Sequence, residues 1–266
     1  TTIDGGNYDI SIGGNQNISN SHRTVALGNN IKTSGSLDSL AAGNKATITN
    51  SRLATAVGDE TSVTDSTASS AFGAGSSIKK ADHSTAVGAG ASVNESNSSF
   101  AGGEYASVTG GYGDIAFGFK STVSNANQST AIGYESKVTG NSRGMALGTL
   151  AKVEDSYGGT ALGASTSVSS STASSAIGAG SSVTGGNDSS AIGKSASVSD
   201  SKFSTAVGTS ASVTSSNFAL ASGASANVKD SYGGTALGAS ASVTNSVRAS
   251  ASGNNASVTD SSYAQA

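Results

Sequence analysis

The stretch Ser84-Thr85-Ala86-Val87-Gly88-Ala89-Gly90-Ala91-Ser92-Val93-Asn94-Glu95-Ser96 contains two short runs in which small or β-branched residues alternate with other residues. Alternation with a period of two is typical of β-strands, and no helical period is present. Gly88 is one of 17 glycines that recur every fifteen residues from Gly13 to Gly253 without an insertion. Short repeats of constant length stack into solenoids, because a single repeat cannot bury its own apolar face.

The repeat therefore predicts an all-β fold: one parallel β-solenoid domain over residues 1–266, with about 17 fifteen-residue coils and two short strands per coil. At the usual distance between neighbouring strands, about 4.8 Å, the coils would form a rod of roughly 80 Å. The residue two before the repeat glycine is alanine in 16 of 17 coils, and the residue five after it is Val or Ile in 16 of 17. We call these the alanine column and the valine column.

Both columns are predicted to face the coil interior, together with the repeat glycine, since a fifteen-residue coil is too thin for larger side chains. The position seven after the glycine holds Asp, Asn or Gly in 13 of 17 coils. These residue types accept left-handed backbone conformations or cap their own backbone, so this position predicts a turn.

Composition excludes several classes of protein. The chain has 266 residues, a net charge of −3, 36 glycines and no Cys, Pro or Trp. It has neither disulfides nor thiolate metal ligands, and the basic stripe that nucleic acid requires is missing. No apolar run reaches the ~18 residues of a membrane span, and residues 1–30 do not resemble a signal peptide. If the protein is exported, we expect this chain to be a mature or excised piece.

The column directly before the repeat glycine, which we call the aliphatic column, is predicted to face outward. The opposite assignment, with these side chains inside, would leave no reason for alanine in 16 coils. A long apolar stripe exceeds what a soluble monomer normally exposes, so we predict a homo-oligomer whose chains meet along it. The predicted seam comprises Ile12, Leu27, Val57, Phe72, Val87, Phe117, Ile132, Leu147, Leu162, Ile177, Ile192, Val207 and Leu237.

Segments such as Ser129-Thr130-Ala131-Ile132-Gly133 and Ser204-Thr205-Ala206-Val207-Gly208 resemble the Ser-Val-Ala-Ile-Gly repeat of YadA-like heads in trimeric autotransporter adhesins. The resemblance covers about residues 10–260. It implies a left-handed parallel β-roll, a homotrimer, and a place on the bacterial surface as the extracellular passenger of an outer-membrane protein. Family heads often have 14-residue units with insertions, whereas these units are uniform. The chain shows no neck motif, heptad stalk or membrane-anchoring barrel, and it looks like an isolated head.

Catalytic, cofactor and metal sites are not expected. His22 and His83 fall nine and ten positions after their repeat glycines, where we expect solvated turn residues. Two Gly-Ala-Gly segments are in register with the repeat of all the other coils, so they are repeat positions and not phosphate-binding loops. They are Gly88-Ala89-Gly90 and Gly178-Ala179-Gly180. Acidic pairs such as Asp59-Glu60 have no reactive neighbour in the sequence, and an enzyme is not indicated.

An excess of aromatic residues between 100 and 134 marks a candidate binding site for a partner protein. Phe119 and Tyr134 occupy the same column in consecutive coils, so their rings are predicted to stack. An alternative role for these rings is to fill a strand corner or to cover the seam. With the neighbouring column they form a predicted aromatic ledge with a charged rim, a composition typical of interface hot spots. The predicted ledge comprises Tyr105, Phe119, Lys120, Tyr134, Glu135 and Leu150.

Tyr112, Tyr157 and Tyr232 lie nine positions after their glycines. The segment Ser156–Gly163 recurs unchanged as Ser231–Gly238, and its Gly-Gly pair favours a locally reshaped turn over a contact site for a partner.

The leading functional hypothesis is an adhesin head that binds a host protein. The receptor would be a matrix protein such as collagen, or a cell-surface glycoprotein such as a carcinoembryonic-antigen-related adhesion molecule. A stiff spacer or trimeric phage-fibre segment is the alternative. An ice-binding solenoid is a third class, but Thr three before the glycine occurs in only six coils, without a second Thr beside it.

Overall fold

The computed structural model describes all residues from Thr1 to Ala266, which form two compact units, Thr1–Ser129 and Thr130–Ala266. Both units are parallel β-solenoids without helices and together contain about 17 turns, as the repeat predicts. We call strands that contain the valine column valine strands, and strands that contain the alanine column alanine strands.

In unit 1 each set of strands forms its own parallel ladder. Its valine strands are β1 (Thr2–Asp4), β3 (Asn17–Ser19), β5 (Lys32–Ser34), β7 (Thr47–Thr49), β9 (Ser62–Thr64), β11 (Ser77–Lys79), β13 (Ser92–Asn97), β15 (Ser107–Tyr112) and β17 (Thr122–Asn127). Its alanine strands are β2 (Ile10–Ile12), β4 (Val25–Asn29), β6 (Leu40–Asn44), β8 (Thr55–Val57), β10 (Ser70–Phe72), β12 (Thr85–Val87), β14 (Phe100–Gly102) and β16 (Ile115–Phe117).

Unit 2 repeats this arrangement. Its alanine strands are β18 (Thr130–Ile132), β20 (Met145–Leu147), β22 (Thr160–Leu162), β24 (Ser175–Ile177), β26 (Ser190–Ile192), β28 (Thr205–Val207), β30 (Leu220–Ser222), β32 (Thr235–Leu237) and β34 (Ser250–Ser252). Its valine strands are β19 (Lys137–Thr139), β21 (Lys152–Glu154), β23 (Ser167–Ser169), β25 (Ser182–Thr184), β27 (Ser197–Ser199), β29 (Ser212–Thr214), β31 (Asn227–Lys229), β33 (Ser242–Thr244) and β35 (Ser257–Thr259).

The core of each unit consists of the smallest apolar side chains. Ala86 in unit 1 and Ala191 in unit 2 are fully buried, as are Val108 and Val213 of the valine column. The residue directly before the glycine is exposed or half-buried instead, for example Val87 at 41%. The inward and outward faces are therefore those that the alternation predicts.

Two columns of buried serine complete the interior, a location that the residue type does not predict. The Ser84 backbone N–H donates to Ser69 Oγ at 3.3 Å, and the Ser84 hydroxyl donates to the Asp82 carbonyl at 3.1 Å. In unit 2 the Ser204 N–H donates to Ser189 Oγ at 3.2 Å. The hydroxyls thus pair backbone groups that no strand ladder reaches, which is the condition for burying a polar side chain.

Each coil turns at three left-handed corners, whereas the sequence predicted one such turn. The corners lie two, seven and ten residues after the repeat glycine, for example at Lys120, Asn125 and Gln128, with φ values of 53°, 49° and 53°. Within each unit, corner amides donate to the preceding coil, as Lys120 N does to the Glu104 carbonyl at 2.9 Å. Stacking therefore stabilises a conformation that is unfavourable for a single residue. Between the second and third corners, isolated parallel bridges link successive coils.

The repeat glycine is needed for a reason that differs from the predicted one. These glycines have φ between +118° and +139°, and a Cβ on Gly88 would lie 2.4 Å from the carbonyl oxygen of Gly103 in the next coil. Close approach of stacked backbones therefore requires glycine at this column, rather than a lack of space inside the coil.

Candidate functional site

The aliphatic column of unit 2 forms an unbroken row on the outer face of its alanine strands. Ile132 is in register with Leu147, and each following member pairs with the next. All of these residues are exposed or half-buried, with Leu162 at 43% exposure. The row comprises Ile132, Leu147, Leu162, Ile177, Ile192 and Val207, and Leu237 extends the column beyond Ser222.

The aliphatic column of unit 1 contains Ile12, Leu27, Val57, Phe72, Val87 and Phe117, and it is interrupted at Ala42 and Gly102. At the second interruption Phe100 and Phe117 stack with ring centroids 6.3 Å apart and an interplanar angle of 19°. A Cβ on Gly102 would lie within 2.7 Å of both rings, so the rings occupy the space of the missing side chain. The apolar surface therefore continues across Gly102.

The neighbouring outward column, three residues before the glycine, adds apolar surface that the predicted seam omits. Ile10, Ile115 and Met145 are 51%, 40% and 41% exposed. Most other coils have Ser or Thr at this column, so the residue types along it do not indicate an apolar surface. Exposure in the folded chain is what identifies these residues.

The predicted ledge is divided between the two units. In unit 1 the Tyr105 and Phe119 rings meet edge to face at 6.3 Å, and Lys120 Nζ lies 5.1 Å from the centroid of Phe119. Tyr105 is a first-corner residue, and a Cβ on Gly90 would lie 2.6 Å from its ring. The ring thus rests on the glycine of the preceding coil and leaves 55% of Tyr105 exposed.

In unit 2, Glu135 and Leu150 lie at the first corner, and Tyr134 directly precedes it. Tyr134 and Leu150 are 50% and 48% exposed, whereas Glu135 is half-buried. A hydrogen bond with Glu135 raises the pKa of the Tyr134 hydroxyl, because the carboxylate stabilises the protonated form. Each unit therefore presents an aromatic ring beside a charged group.

A second aromatic cluster, in unit 2, was not predicted. Phe203 and Phe218 occupy the third corner of consecutive coils and stack at 5.1 Å with an interplanar angle of 11°. Tyr232 meets Phe218 edge to face at 5.5 Å. All three are about half exposed. We call them the Phe203 cluster; the only signal in the sequence was Phe at the same column of adjacent coils.

The Gly-Gly pairs of the repeated octapeptide do not reshape the turn. Gly158 and Gly233 both have φ of +66°, like the third-corner residues of other coils, such as Arg143 at 59°. The second glycine of each pair lies inside the coil, where a Cβ on Gly159 would lie 2.9 Å from Val153 Cγ1. The pairs thus fit the regular turn, and Tyr112, Tyr157 and Tyr232 all remain about half exposed.

No group of three or more His, Cys, Asp and Glu residues is arranged to hold a metal ion. His83 lies at the third corner with φ of 55°, and His22 lies in the bridge column next to that corner. No apolar helix has the length to cross a membrane.

One buried carboxylate stands out among the ionisable groups. Asp114 replaces an interior serine, accepts a hydrogen bond from the Ser129 N–H at 2.9 Å, and is fully buried. A Cβ on Gly111 would lie 2.3 Å from Asp114 Oδ2, so this glycine provides the space for the carboxylate. Desolvation raises the Asp114 pKa from its usual 3.8 to about 6, although hydrogen bonds from Ser129 and Ser96 oppose the shift.

Asp114 is therefore expected to make unit 1 less stable at neutral than at acidic pH. The folded state binds the proton more tightly, so this contribution to stability is complete below pH 3.8 and is lost as the pH rises through about 6. Asp114→Asn keeps an oxygen for the Ser129 N–H and removes the charge. We expect the stabilisation by this substitution to be about 2–3 kcal/mol larger at pH 7.5 than at pH 3.5. Urea unfolding of both proteins at these two pH values measures the difference, and a pH-independent gain would contradict the prediction.

Comparison of the sequence with protein-family models and with curated proteins finds no match. Among solved structures, the fold is similar to a protein assigned as an acetyltransferase from Desulfovibrio desulfuricans G20, with 7% identity and a TM-score of 0.15 over 87% of this chain. The chain spans 65% of the length of that protein. A second similar structure is the polySia-specific acetyltransferase NeuO, with 14% identity and a TM-score of 0.16 over 80% of this chain and 81% of NeuO.

Proposed function

We propose that this chain is the head of a trimeric bacterial surface adhesin that binds a host protein. In this proposal the coils are left-handed, residues 1–266 form a single repeat domain, and three identical chains associate along the aliphatic column. The chain acts by binding, without enzymatic activity, metal or cofactor. Its location would be the cell surface, as the extracellular passenger of an outer-membrane protein.

The row from Ile132 to Val207 is the observation that carries the proposal. Six large apolar residues in register are exposed or half-buried on one strand face, while alanine and valine fill the core. Removing such a row from water is favourable, and identical chains bury it most simply around a symmetry axis. The resemblance of the repeat to YadA-like heads supports three as the number of chains.

Exposed aromatic residues on the remaining surface support receptor binding. Exposed aromatic residues beside charged groups are common in interface hot spots, and both parts of the ledge have this composition. Three copies of each part on one particle would raise avidity without new contacts. The receptor is therefore proposed to be a protein, either a matrix protein such as collagen or a glycoprotein of the carcinoembryonic-antigen-related type.

A solid-phase binding panel with the purified chain tests this proposal. We expect binding to at least one matrix or cell-surface protein, and a loss of affinity of about tenfold or more in a Phe119→Ser, Tyr134→Ser double variant. Ser182→Asp, on the outer face of β25, is the control and should bind like the wild type. A panel without any binding would contradict receptor recognition. Binding that is unchanged in the double variant would exclude the ledge as the contact surface.

A stiff spacer or phage-fibre segment is the alternative to a receptor-binding head. Such a segment needs uniform coils and a trimer but no recognition surface. A chain with this function would also form a trimer, but it would bind no host protein in the panel. The binding panel therefore distinguishes the two functions, and light scattering checks the trimer that both require.

Ice binding is a second candidate function. It would use the outer face of the valine strands, whereas the sequence argument concerned Thr three before the glycine, in the alanine strands. The outward side chains of the valine strands are mostly Ser and Thr, such as Ser182 and Thr184 of β25. Their hydroxyls meet between coils, with Ser169 Oγ 3.3 Å from Thr184 Oγ1. Thermal hysteresis of the purified chain would favour this function, and its absence at millimolar concentration would exclude it.

A further inference from the structure

We propose that unit 2 contains a binding groove for a neutral oligosaccharide, next to the Phe203 cluster. The groove has a volume of about 420 Å³, within the range of about 300–1,000 Å³ that is usual for ligand sites. It lies between the second corner and the bridge column of three consecutive coils, so it runs along the stacking direction. Its lining residues include Asn217, Asp230, Ser231, Tyr232, Asn245 and Ser246.

The walls of the groove contain polar groups that form no hydrogen bond within the protein. The Asp230 carboxylate and the Asn245 carboxamide have no hydrogen-bond partner in the protein, and both side chains are exposed. Asn217 Oδ1 accepts from the Lys202 N–H at 2.8 Å, which leaves the Asn217 amino group for a ligand. Donors and acceptors thus lie together in one groove. Sugar hydroxyls, which both donate and accept, match this mixture.

The floor of the groove is made of serines whose hydroxyls are already paired. Ser231 and Ser246 are buried, and their hydroxyls donate to the Lys229 and Thr244 carbonyls at 2.7 Å. Each of these hydroxyl oxygens also accepts a hydrogen bond from a backbone N–H of the following coil. A ligand would therefore interact with the walls and the aromatic rim rather than with the floor.

Tyr232 joins the groove to the aromatic cluster. It lines the groove, and its ring meets Phe218, which in turn stacks on Phe203. Sugar rings have one apolar face of C–H groups, which packs against aromatic rings, and a rim of hydroxyls. The arrangement of half-exposed rings beside carboxamide and carboxylate groups fits both features of such a ligand.

The charges of the lining residues set the class of sugar. Asp230 is the only charged residue in the lining, and no Lys or Arg contributes to it. A sialylated or sulfated glycan gains its strongest hydrogen bonds from Lys or Arg, so a neutral glycan fits this lining better. The lining also contains a single apolar residue besides Tyr232, namely Val247, which is little apolar surface for the side chains of a peptide.

The repeated octapeptide supplies a matched control for Tyr232. Tyr157 has the same local sequence, Ser156–Gly163 against Ser231–Gly238, and lies in the same column. However, the Arg143 guanidinium lies 5.9 Å from the Tyr157 ring centroid, and Arg143 Nη1 donates to Tyr157 Oη at 3.1 Å. Arg143 thus engages the Tyr157 hydroxyl, although both tyrosines are about half exposed, so the two sites differ in the side chain beside the ring. Phe218 takes the place of the arginine beside Tyr232.

Saturation-transfer NMR on the full chain tests the proposal, with lactose, N-acetyllactosamine, mannobiose and chitobiose as neutral probes and 3′-sialyllactose as the charged comparison. We expect transfer to the C–H protons of at least one neutral probe. Tyr232→Ala and Phe218→Ala should each weaken binding about tenfold or more, whereas Tyr157→Ala should leave it unchanged. An Asp230→Ala, Asn245→Ala double variant, which keeps every ring, should lose binding as well.

Several results would overturn the proposal. These are no transfer to any neutral probe at millimolar concentration, binding of the sialylated probe alone, or equal losses in the Tyr157 and Tyr232 variants. Binding of an aromatic-rich peptide at the groove, without sugar binding, would replace the glycan by a peptide. The groove lies within one chain, so its failure is separable from that of the proposed function. Lack of sugar binding by a trimer that still binds host protein removes only the glycan site.

Discussion

Replacing Gly193 with alanine is expected to lower the free energy of unfolding by at least about 3 kcal/mol. Gly193 has φ of +133°, and an added Cβ would lie 2.5 Å from the carbonyl oxygen of Gly208 and 2.7 Å from its carbonyl carbon. The two coils cannot move apart to relieve this contact, because β26 and β28 are paired in register immediately before these glycines. Urea unfolding followed by far-ultraviolet circular dichroism measures the loss.

Gly180→Ala is the matched control for this prediction. Gly180 also has a positive φ, +69°, but the nearest atom to an added Cβ is Ser195 Oγ at 3.5 Å. Other coils have Leu150 and Ser195 at the same corner with φ of 57° and 56°, so a side chain is tolerated there. The expected loss is only about 1 kcal/mol. Equal losses for the two variants would mean that backbone conformation alone, and not the approach of stacked coils, makes the repeat glycine necessary.

An Ile177→Asp substitution is expected to convert the proposed trimer into monomers at micromolar concentration. Ile177 lies near the middle of the unit 2 row, in register with Leu162 and Ile192. A carboxylate at this position would have to be buried without a partner when the chains associate. Light scattering measures the mass of the particle, and circular dichroism checks that the coils remain folded.

Ser182→Asp in the same coil is the control for the seam, because it introduces the same charge on the outer face of a valine strand. This variant should remain trimeric. A wild-type protein that is monomeric would contradict the seam and the trimeric head together. A trimer that persists in Ile177→Asp would place the interface on another face and leave the fold unchanged.

The fold follows largely from positions that repeat. Alanine two before the glycine and valine five after it are invariant enough to identify the core, and both columns are buried. The second corner was also predictable, since Asn125 and Asp155 belong to types that accept left-handed φ values, here 49° and 46°. The other two corners were missed, because residues such as Leu150 at the first corner and Phe203 at the third have no such preference.

The buried serines could not be predicted from residue type, because serine is usually exposed. Ser84 and Ser204 are inside because the coil brings an unpaired backbone N–H and a carbonyl to each hydroxyl. The candidate groove was missed for a similar reason. Asn217, Asp230 and Asn245 look like ordinary turn residues in the sequence, and only the stacking of three coils brings them beside Tyr232.

The sequence by itself determined the parallel β-solenoid, its small-residue core and the outward position of the aliphatic column, because these depend on periodicity, and a period is fully visible in one dimension. Only the tertiary structure decided why the repeat glycine cannot carry a side chain, where the serines go, and what surrounds each aromatic ring. Those features depend on distances between coils. The identical segments around Tyr157 and Tyr232 show the difference, since one tyrosine meets Arg143 and the other meets Phe218.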